Sequence, residues 1–167
     1  VDRIVAAWQR ERPDLDVEPL QVLSRITRLA KQHSRIRAAA FAEHHLDGWE
    51  FDVLAALRRA GDPYELSPGQ LVAETLVTSG TMTTRVDRLI ERDLVARRPD
   101  PRDRRGVLVQ LTPAGRDVVD GAMSTLLDHE KALVAALDPR DGASLADMLR
   151  RLLLVSTEHA DRDPEDR

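Results

Sequence analysis

The chain has 167 residues, of which 42% are hydrophobic and 32% charged, a composition typical of a soluble globular protein with a core of its own. It contains five aromatic residues and no cysteine, which excludes a large base-stacking surface for single strands, disulfide bonds and cysteine zinc sites. No apolar run is long enough to span a membrane, and none has the form of a signal peptide.

The net charge of −4 is unevenly distributed along the chain. Residues 67–111 contain eight arginines and six acidic residues, a balance of +2, which leaves 17 basic and 23 acidic residues, a balance of −6, for the remainder. A local basic patch on an acidic body indicates binding of a polyanion at one place. The alternative is an ordinary solvated charged face.

The first 18 residues predict a short helix followed by a loop. Apolar residues recur at i, i+3, i+4 and i+7 within residues 1–12, namely at Val1, Ile4, Val5 and Trp8. A helix this short persists only when it packs on other structure. We therefore expect Trp8 to contact another part of the molecule, and plain core packing is the simplest interpretation.

A long helix is predicted over residues 19–44, and its apolar stripe includes His33, which we interpret as a packed histidine. His44 and His45 stand beside Glu43. Adjacent histidines at a helix end point in different directions, and no fourth ligand presents itself. We therefore predict no metal site and no cofactor.

A third helix is predicted over residues 47–60, and Gly61-Asp62-Pro63 ends it. Its core-facing residues form one stripe. They are Val53, Leu54, Leu57 and Ala60. Because a helix turns by about 100° per residue, Asp52 points away from this stripe. We expect an exposed carboxylate near Arg59, unless another element covers it.

Two short helices with a tight turn between them follow a short strand at residues 64–66, which we expect to pair with a later hairpin. The segment Ser67-Pro68-Gly69-Gln70 has an N-cap serine, a proline at the first helical position and a glutamine that completes a capping box. This helix is predicted to end near Leu76. The next helix, capped by Thr78 or Ser79, is predicted to continue to Arg92.

The second of these helices has two different faces. Its core face contains Met82, Val86, Leu89 and Ile90. Small polar residues in its first turn allow close approach to base edges and phosphates. They are Ser79, Thr81, Thr83 and Thr84. Arg88 reaches further, to a guanine edge or a phosphate. Arg85 lies on the shoulder of the core face, about 60° from Met82, which suits a pocket wall or a structural ion pair better than DNA.

Residues 94–98 and 107–111 predict two strands of a hairpin, because apolar residues alternate in the second segment. The tip, residues 100–106, is rich in proline and arginine, and such a tip can enter a minor groove or straddle phosphates. Its charged residues are Asp100, Arg102, Asp103, Arg104 and Arg105. We expect Asp103 to orient one arginine through a charge-assisted pair. Helix, turn, helix and hairpin together predict a winged helix-turn-helix that binds double-stranded DNA.

Two more helices with strong apolar stripes are predicted, over residues 113–137 and from Pro139 onward. We therefore predict a mainly α fold with a small β-hairpin wing. Residues 47–112 form its DNA-binding domain. Residues 1–46 and 113–160 form dimerisation helices, the former also serving as a pocket lid. Residues 161–167 are predicted to be a disordered tail.

The chain resembles the MarR family of winged-helix transcriptional regulators over nearly its whole length. The resemblance is carried by Phe51-Asp52-Val53-Leu54, Leu66-Ser67-Pro68, the segment 79–89, and above all residues 97–106 followed by Leu111-Thr112-Pro113-Ala114-Gly115. It implies a homodimer whose two recognition helices enter successive major grooves of a pseudo-palindromic operator, with half-sites about 10–10.5 bp apart.

A finer resemblance is to the branch of that family that responds to urate. Trp8, Asp52, Arg85 and Arg97 occupy positions that match its ligand-binding residues. The resemblance implies that Trp8 and Arg85 contact the anion, while Asp52 is displaced by charge repulsion, pairs with Arg97 and shifts the recognition helix. Thr84 departs from the pattern, since many relatives have asparagine there.

We therefore predict a cytoplasmic, nucleoid-associated homodimeric repressor that a small aromatic anion such as urate releases from DNA. The predicted DNA-binding residues are Ser67, Gln70, Ser79, Thr81, Thr83, Thr84, Arg88, Arg102, Asp103, Arg104 and Arg105. One alternative is a repressor of efflux or catabolic genes that responds to phenolic acids, and another is a DNA-binding or dimerisation module without a ligand. An enzyme is not expected, because the sequence has no glycine-rich phosphate loop, nucleophile elbow or metal cluster.

Overall fold

The computed structural model describes residues 1–160, except for the side chains of residues 104, 105 and 157–160. The tail predicted over residues 161–167 therefore lies outside the described residues. The elements in chain order are α1 (Asp2–Glu11), α2 (Pro19–Ala42), α3 (Gly48–Arg59), β1 (Glu65–Leu66), α4 (Pro68–Thr75), α5 (Ser79–Glu91), β2 (Val95–Asp100), β3 (Asp103–Leu111), α6 (Pro113–Val134) and α7 (Pro139–Ala160). This order and the mainly helical content confirm the predicted fold class. None of the described helices combines the length and the apolar character that crossing a membrane requires.

The three strands form one antiparallel sheet in the order β1-β3-β2. Leu66 of β1 pairs with Val109, which confirms the predicted pairing of the 64–66 segment with the hairpin. On the other side of β3, Arg97 also pairs with Val109. Val109 is fully buried, because the central strand presents it to the helices.

The hairpin extends closer to its tip than predicted. β2 continues to Asp100 and β3 begins at Asp103, so two residues connect the strands instead of the seven of the predicted tip. The Asp100 carboxylate accepts the backbone N–H of Arg102 at 2.8 Å, which closes the turn. A Cβ at Gly106 would lie 2.8 Å from the Asp100 Cβ, so this close approach of the two strands requires glycine.

The chain divides after Leu126 into two compact units. In the first unit, α3, α4, α5 and the sheet enclose a core of fully buried side chains. The largest of these are Phe41, Leu54, Leu57, Leu71, Met82 and Leu89. Burial of each such side chain stabilises the fold by about 1.5–3 kcal/mol, so this core holds α3, α4, α5 and the sheet together.

The two N-terminal helices bury little of their apolar stripes. In α1 the buried residue is Val5, and Trp8 is 48% exposed, so the expectation that Trp8 packs into a core is wrong within the chain. A helix of ten residues presents only a narrow face to its neighbour, and Val5 occupies it. In α2 the buried residues are Ala40 and Phe41, at its C-terminal end, while Leu23 is 56% exposed.

The second unit contains the end of α6 and all of α7. Leu145, Met148 and Leu152 of α7 lie three and four positions apart and are 37–45% exposed. This spacing places the three side chains on one face of the helix. That face is apolar, as predicted, and remains accessible to solvent in the single chain.

Candidate nucleic-acid interface and ligand groove

Local hydrogen bonds determine where α4 and α5 begin. The Ser67 Oγ accepts the Gln70 N–H at 3.2 Å, and the Gln70 Oε1 accepts the Ser67 N–H at 2.8 Å, which is the predicted capping box. Leu76 ends α4 in the left-handed conformation, and the Thr78 side chain caps α5. The Ser67 Oγ and the Gln70 Oε1 thus each accept a helix N–H, and the capping box leaves the Ser67 hydroxyl hydrogen and the Gln70 amide NH₂ as donors that it does not use.

The two faces of α5 are those that the sequence predicts. Met82, Val86 and Leu89 are buried. The opposite face is exposed and carries the residues predicted to read DNA: Ser79, Thr81, Thr83, Thr84 and Arg88. The Thr84 hydroxyl donates to the Gly80 carbonyl at 3.3 Å, so its oxygen points acceptor lone pairs outward. This face offers hydroxyl acceptors and one long cation, which is chemistry suited to base edges.

Arg85 is half-buried, in agreement with its predicted place on the shoulder of α5. Its guanidinium carbon lies 5.5 Å from the centroid of the Trp49 ring, a cation–π contact between α5 and the first turn of α3. Trp49 was not among the predicted site residues. The signal that could have found it is a large aromatic residue one helical turn before Val53, at the edge of the apolar stripe of its own helix.

A groove of about 300 Å³ lies beside this contact. It is lined by Trp49, Thr81, Thr84, Arg85 and Arg88. It combines an aromatic face, two guanidinium groups and two hydroxyls, a set that suits a small planar anion. Since Thr84 and Arg88 also belong to the exposed face of α5, the groove adjoins the candidate DNA interface.

Asp52 pairs with a residue other than the one that the sequence predicts. Its Oδ1 accepts from the Arg37 Nη2 of α2 at 3.1 Å, whereas Arg59, the predicted neighbour, pairs with Glu74. The guanidinium of Arg37 also lies 5.0 Å from the ring centroid of Phe41. The Asp52 side chain is 51% exposed, so an ion pair holds this carboxylate at the surface.

Arg97 is the first wing arginine, and its Nη2 lies 2.7 Å from the Asp87 Oδ1 of α5. The wing is thereby tied to the exposed side of α5. In the part of the chain that the structure describes, Asp52, Arg85 and Arg97 each contact a different partner, and the contacts described above do not unite them with Trp8. The four-residue ligand site stays a prediction.

The wing places Arg102 and Asp103 in solvent at its tip. Residues 104 and 105 lie in β3, but their side chains are outside the described part of the structure. Arg98 is exposed on β2, and its Nη1 donates to the Gln110 Oε1 at 3.0 Å. The Gln110 amide in turn donates to the Pro63 carbonyl at 2.9 Å, so this hydrogen-bond chain connects the wing to the loop before β1.

One ion pair with a buried carboxylate was not predicted. Both carboxylate oxygens of Glu50 lie 2.6 Å from the Nη1 of Arg92, the residue that caps the C-terminus of α5. Among the residues described, Glu50 is the one buried charged side chain. Within those residues, no group of three or more His, Cys, Asp or Glu side chains has an arrangement suited to holding a metal ion.

This architecture matches known proteins. The family model described as MarR family matches residues 44–106. The HTH-type transcriptional regulator PecS of Dickeya dadantii is 35% identical over 152 residues, which cover 91% of this chain and 92% of PecS.

Two solved structures are also similar. BpsR of Bordetella bronchiseptica, whose DNA binding is described as regulated by 6-hydroxynicotinic acid, has a TM-score of 0.68 and 29% identity, with 83% of this chain and 96% of BpsR covered. A mutant of E. coli MarR in complex with operator DNA has a TM-score of 0.68 and 28% identity, with 82% of this chain and 95% of MarR covered.

Proposed function

The chain belongs to the MarR family of winged-helix transcriptional regulators, and on this premise we propose that it is a homodimeric repressor released from its operator by a small aromatic anion. Its relatives are transcriptional regulators, which are not enzymes. As a protein that binds chromosomal DNA, it is proposed to act in the cytoplasm, at the nucleoid. The observation that carries the proposal is the groove of Trp49, Arg85 and Arg88 beside the exposed face of α5.

Operator recognition is assigned to α5 and the wing. The exposed hydroxyls and Arg88 of α5 read base edges in a major groove, while Arg102, Arg104 and Arg105 of the wing bind phosphates or a minor groove. The salt bridge between Arg97 and Asp87 connects the wing to α5. This assignment is supported by the similarity to a MarR structure that contains operator DNA.

Dimerisation is assigned to the terminal helices. MarR-family proteins act as dimers. The apolar residues of α2 and α7 that stay exposed in the single chain, such as Leu23 and Leu152, are the surface that a second copy would cover. Trp8, at 48% exposure, is a further candidate for contact across the dimer or with a ligand.

The ligand is assigned to the class of small aromatic anions because the groove supplies both charge and an aromatic face. The regulated relative BpsR responds to 6-hydroxynicotinic acid, which belongs to the same class. Among such anions we propose urate first, because Trp8, Asp52, Arg85 and Arg97 match the urate-responsive branch. Phenolic acids are the second candidate, since the same groove fits them.

Release then requires the exchange of two surface ion pairs. Repulsion by the bound anion moves Asp52 away from Arg37, and Asp52 competes with Asp87 for Arg97. Both existing pairs are about half exposed, and such pairs contribute only about 0–1 kcal/mol each. A ligand that binds the released state about a hundredfold more tightly than the DNA-bound state contributes about 2.7 kcal/mol, which exceeds that cost.

The test begins with selection of tight-binding duplexes from a random DNA library by the purified chain. The dissociation constant of the selected duplex is then measured at fixed salt with urate, with salicylate and with neither. Urate should weaken binding by at least about tenfold if it binds the DNA-free form preferentially. Release by salicylate but not by urate would identify phenolic acids as the ligand class. If neither compound weakens DNA binding, the proposal of an aromatic anionic ligand is wrong.

The Arg85→Ala variant tests whether the ligand binds in the groove beside Trp49. This variant should bind the selected duplex as the wild type does and lose its response to urate, because the groove loses a cation without loss of the exposed face of α5. Arg59→Ala is the matched control, since Arg59 makes an exposed ion pair with Glu74 away from the groove. A full urate response in Arg85→Ala would place the ligand elsewhere.

A further inference from the structure

The C-terminal end of α5 is joined to α3 by a part-buried ion pair, in which the carboxylate is buried and the arginine side chain is 36% exposed. The Glu50 side chain is 6% exposed, and both of its oxygens lie 2.6 Å from the Arg92 Nη1. The Arg92 Nη2 donates to the His45 carbonyl at 2.8 Å, in the loop that precedes α3. Arg92 thus joins the end of α5 to both the loop and the first turn of α3.

The same glutamate also builds the start of α3. Its Oε2 accepts the backbone N–H of Asp47 at 2.9 Å as part of a capping box. The neighbouring residue, Trp49, contacts Arg85. Two consecutive residues of α3 therefore contact two arginines of α5 that are seven positions, or about 10.5 Å, apart along the helix axis.

We propose that Glu50 and Arg92 are positioning residues for DNA recognition, because their ion pair sets the angle at which α5 presents its exposed face. The hydrophobic contacts of Met82, Val86 and Leu89 hold α5 against the core, but such contacts have no directional preference. A charge-assisted pair has one preferred geometry and resists rotation. The inference rests on the proposed role of α5 as the helix that reads the operator.

The length of α5 makes this angle important. Thirteen residues at about 1.5 Å each separate its N-terminal turn from Arg92 by roughly 20 Å. A rotation of roughly 10° about Arg92 therefore moves Ser79 by roughly 3 Å, close to the 3.4 Å step between base pairs. Phosphate contacts tolerate such a shift, whereas contacts to base edges do not.

The test compares specific with non-specific binding. Glu50→Gln is the first variant, because glutamine keeps the capping box and removes the charge that pairs with Arg92. Its affinity for the selected duplex should fall by about tenfold, the order of one lost base contact, while its affinity for a shuffled duplex and its salt dependence stay unchanged. Arg92→Met should give the same loss, and the double variant should lose no more than either single one.

Two further variants keep the result decisive. Arg59→Met removes an exposed ion pair between α3 and α4 and should leave both affinities unchanged. Arg92→Lys keeps a cation beside Glu50 but lacks the fork that also reaches the His45 carbonyl, so an intermediate loss of specificity is expected. This conservative variant decides the question if the two stronger variants do not fold, as shown by circular dichroism.

Each outcome has a separate meaning. A ratio of specific to non-specific affinity within twofold of the wild type in folded Glu50→Gln and Arg92→Lys would overturn the inference and leave a purely structural ion pair. An equal loss on both duplexes would overturn it as well. If the wild-type chain selects no duplex at all, the proposed function fails, and the positioning role fails with it.

Discussion

Arg85 and Arg88 lie three positions apart on α5 and have different surroundings. Arg85 is half-buried against Trp49, whereas Arg88 is exposed. The rotation of a helix by about 100° per residue predicts this difference from the sequence alone. A three-residue offset therefore leaves one arginine packed on Trp49 and the other exposed to solvent, although both line the groove.

Replacement of Arg88 by alanine should weaken binding to the selected operator by about 1–3 kcal/mol and relax the base preference at one position of each half-site. The physical reason is loss of a bidentate contact to a guanine edge. Repeating the duplex selection with the variant measures both effects. Unchanged affinity together with an unchanged selected sequence would show that Arg88 does not read a base.

Substitution of Gly115 tests how closely α6 packs on the sheet. An alanine Cβ at this position would lie 2.0 Å from the Leu94 carbonyl oxygen, so the backbone must move. We expect Gly115→Ala to destabilise the protein by about 1–3 kcal/mol, measured by urea unfolding at one protein concentration. Gly142→Ala is the control, because no atom lies within 4 Å of its Cβ, and alanine should stabilise α7 by about 0.5–1 kcal/mol. Equal stability of the two variants would contradict this packing.

The sequence does not reveal some of the site residues, because their contact partners are distant in the sequence. The rotation of about 100° per residue locates Arg85 on its helix. Trp49 lies 36 positions earlier, and only the packing of α3 on α5 brings the two side chains together. Arg92 likewise contacts Glu50, which lies 42 positions earlier in the sequence. Asp52 was correctly expected at the surface, yet its partner Arg37 depends on how α2 crosses α3.

At the level of elements, helices and strands were predictable because each has a strong local signal. The capping box of Ser67 and Gln70, the proline at the start of α6 and the Gly61-Asp62-Pro63 break all lie at element boundaries in the structure. The hairpin is longer than predicted because the Asp100 carboxylate closes a tight turn with Arg102, an interaction that apolar alternation does not reveal.

The wing should contribute affinity without sequence preference. Replacement of Arg104 and Arg105 by alanine should weaken binding to the selected and to the shuffled duplex alike. If each arginine neutralises one phosphate, the slope of log K against log salt should decrease in magnitude by about 1.8. Fluorescence anisotropy titrations over a salt series measure this slope. An unaltered slope would indicate that the two arginines do not contact phosphates.

At the scale of the whole molecule, the apolar face of α7 should hold two copies together. Leu152→Glu places a charge on the face shared with Leu145 and Met148, and it should shift the protein from dimer to monomer in sedimentation velocity experiments. Leu76→Glu is the control, because it makes the same change in mass and charge at a residue that is 91% exposed in the turn before α5. A dimeric Leu152→Glu variant would move the interface to other residues.

The contact between Trp49 and Arg85 also makes the tryptophan fluorescence of the protein sensitive to its conformation. The chain has two tryptophans, so a Trp8→Phe variant retains Trp49 as its single indole. Indole emission responds to a nearby positive charge, and the guanidinium of Arg85 lies 5.5 Å from the ring centroid. The emission wavelength of this variant should therefore change whenever α5 moves relative to α3, with no dye on the protein or on the DNA.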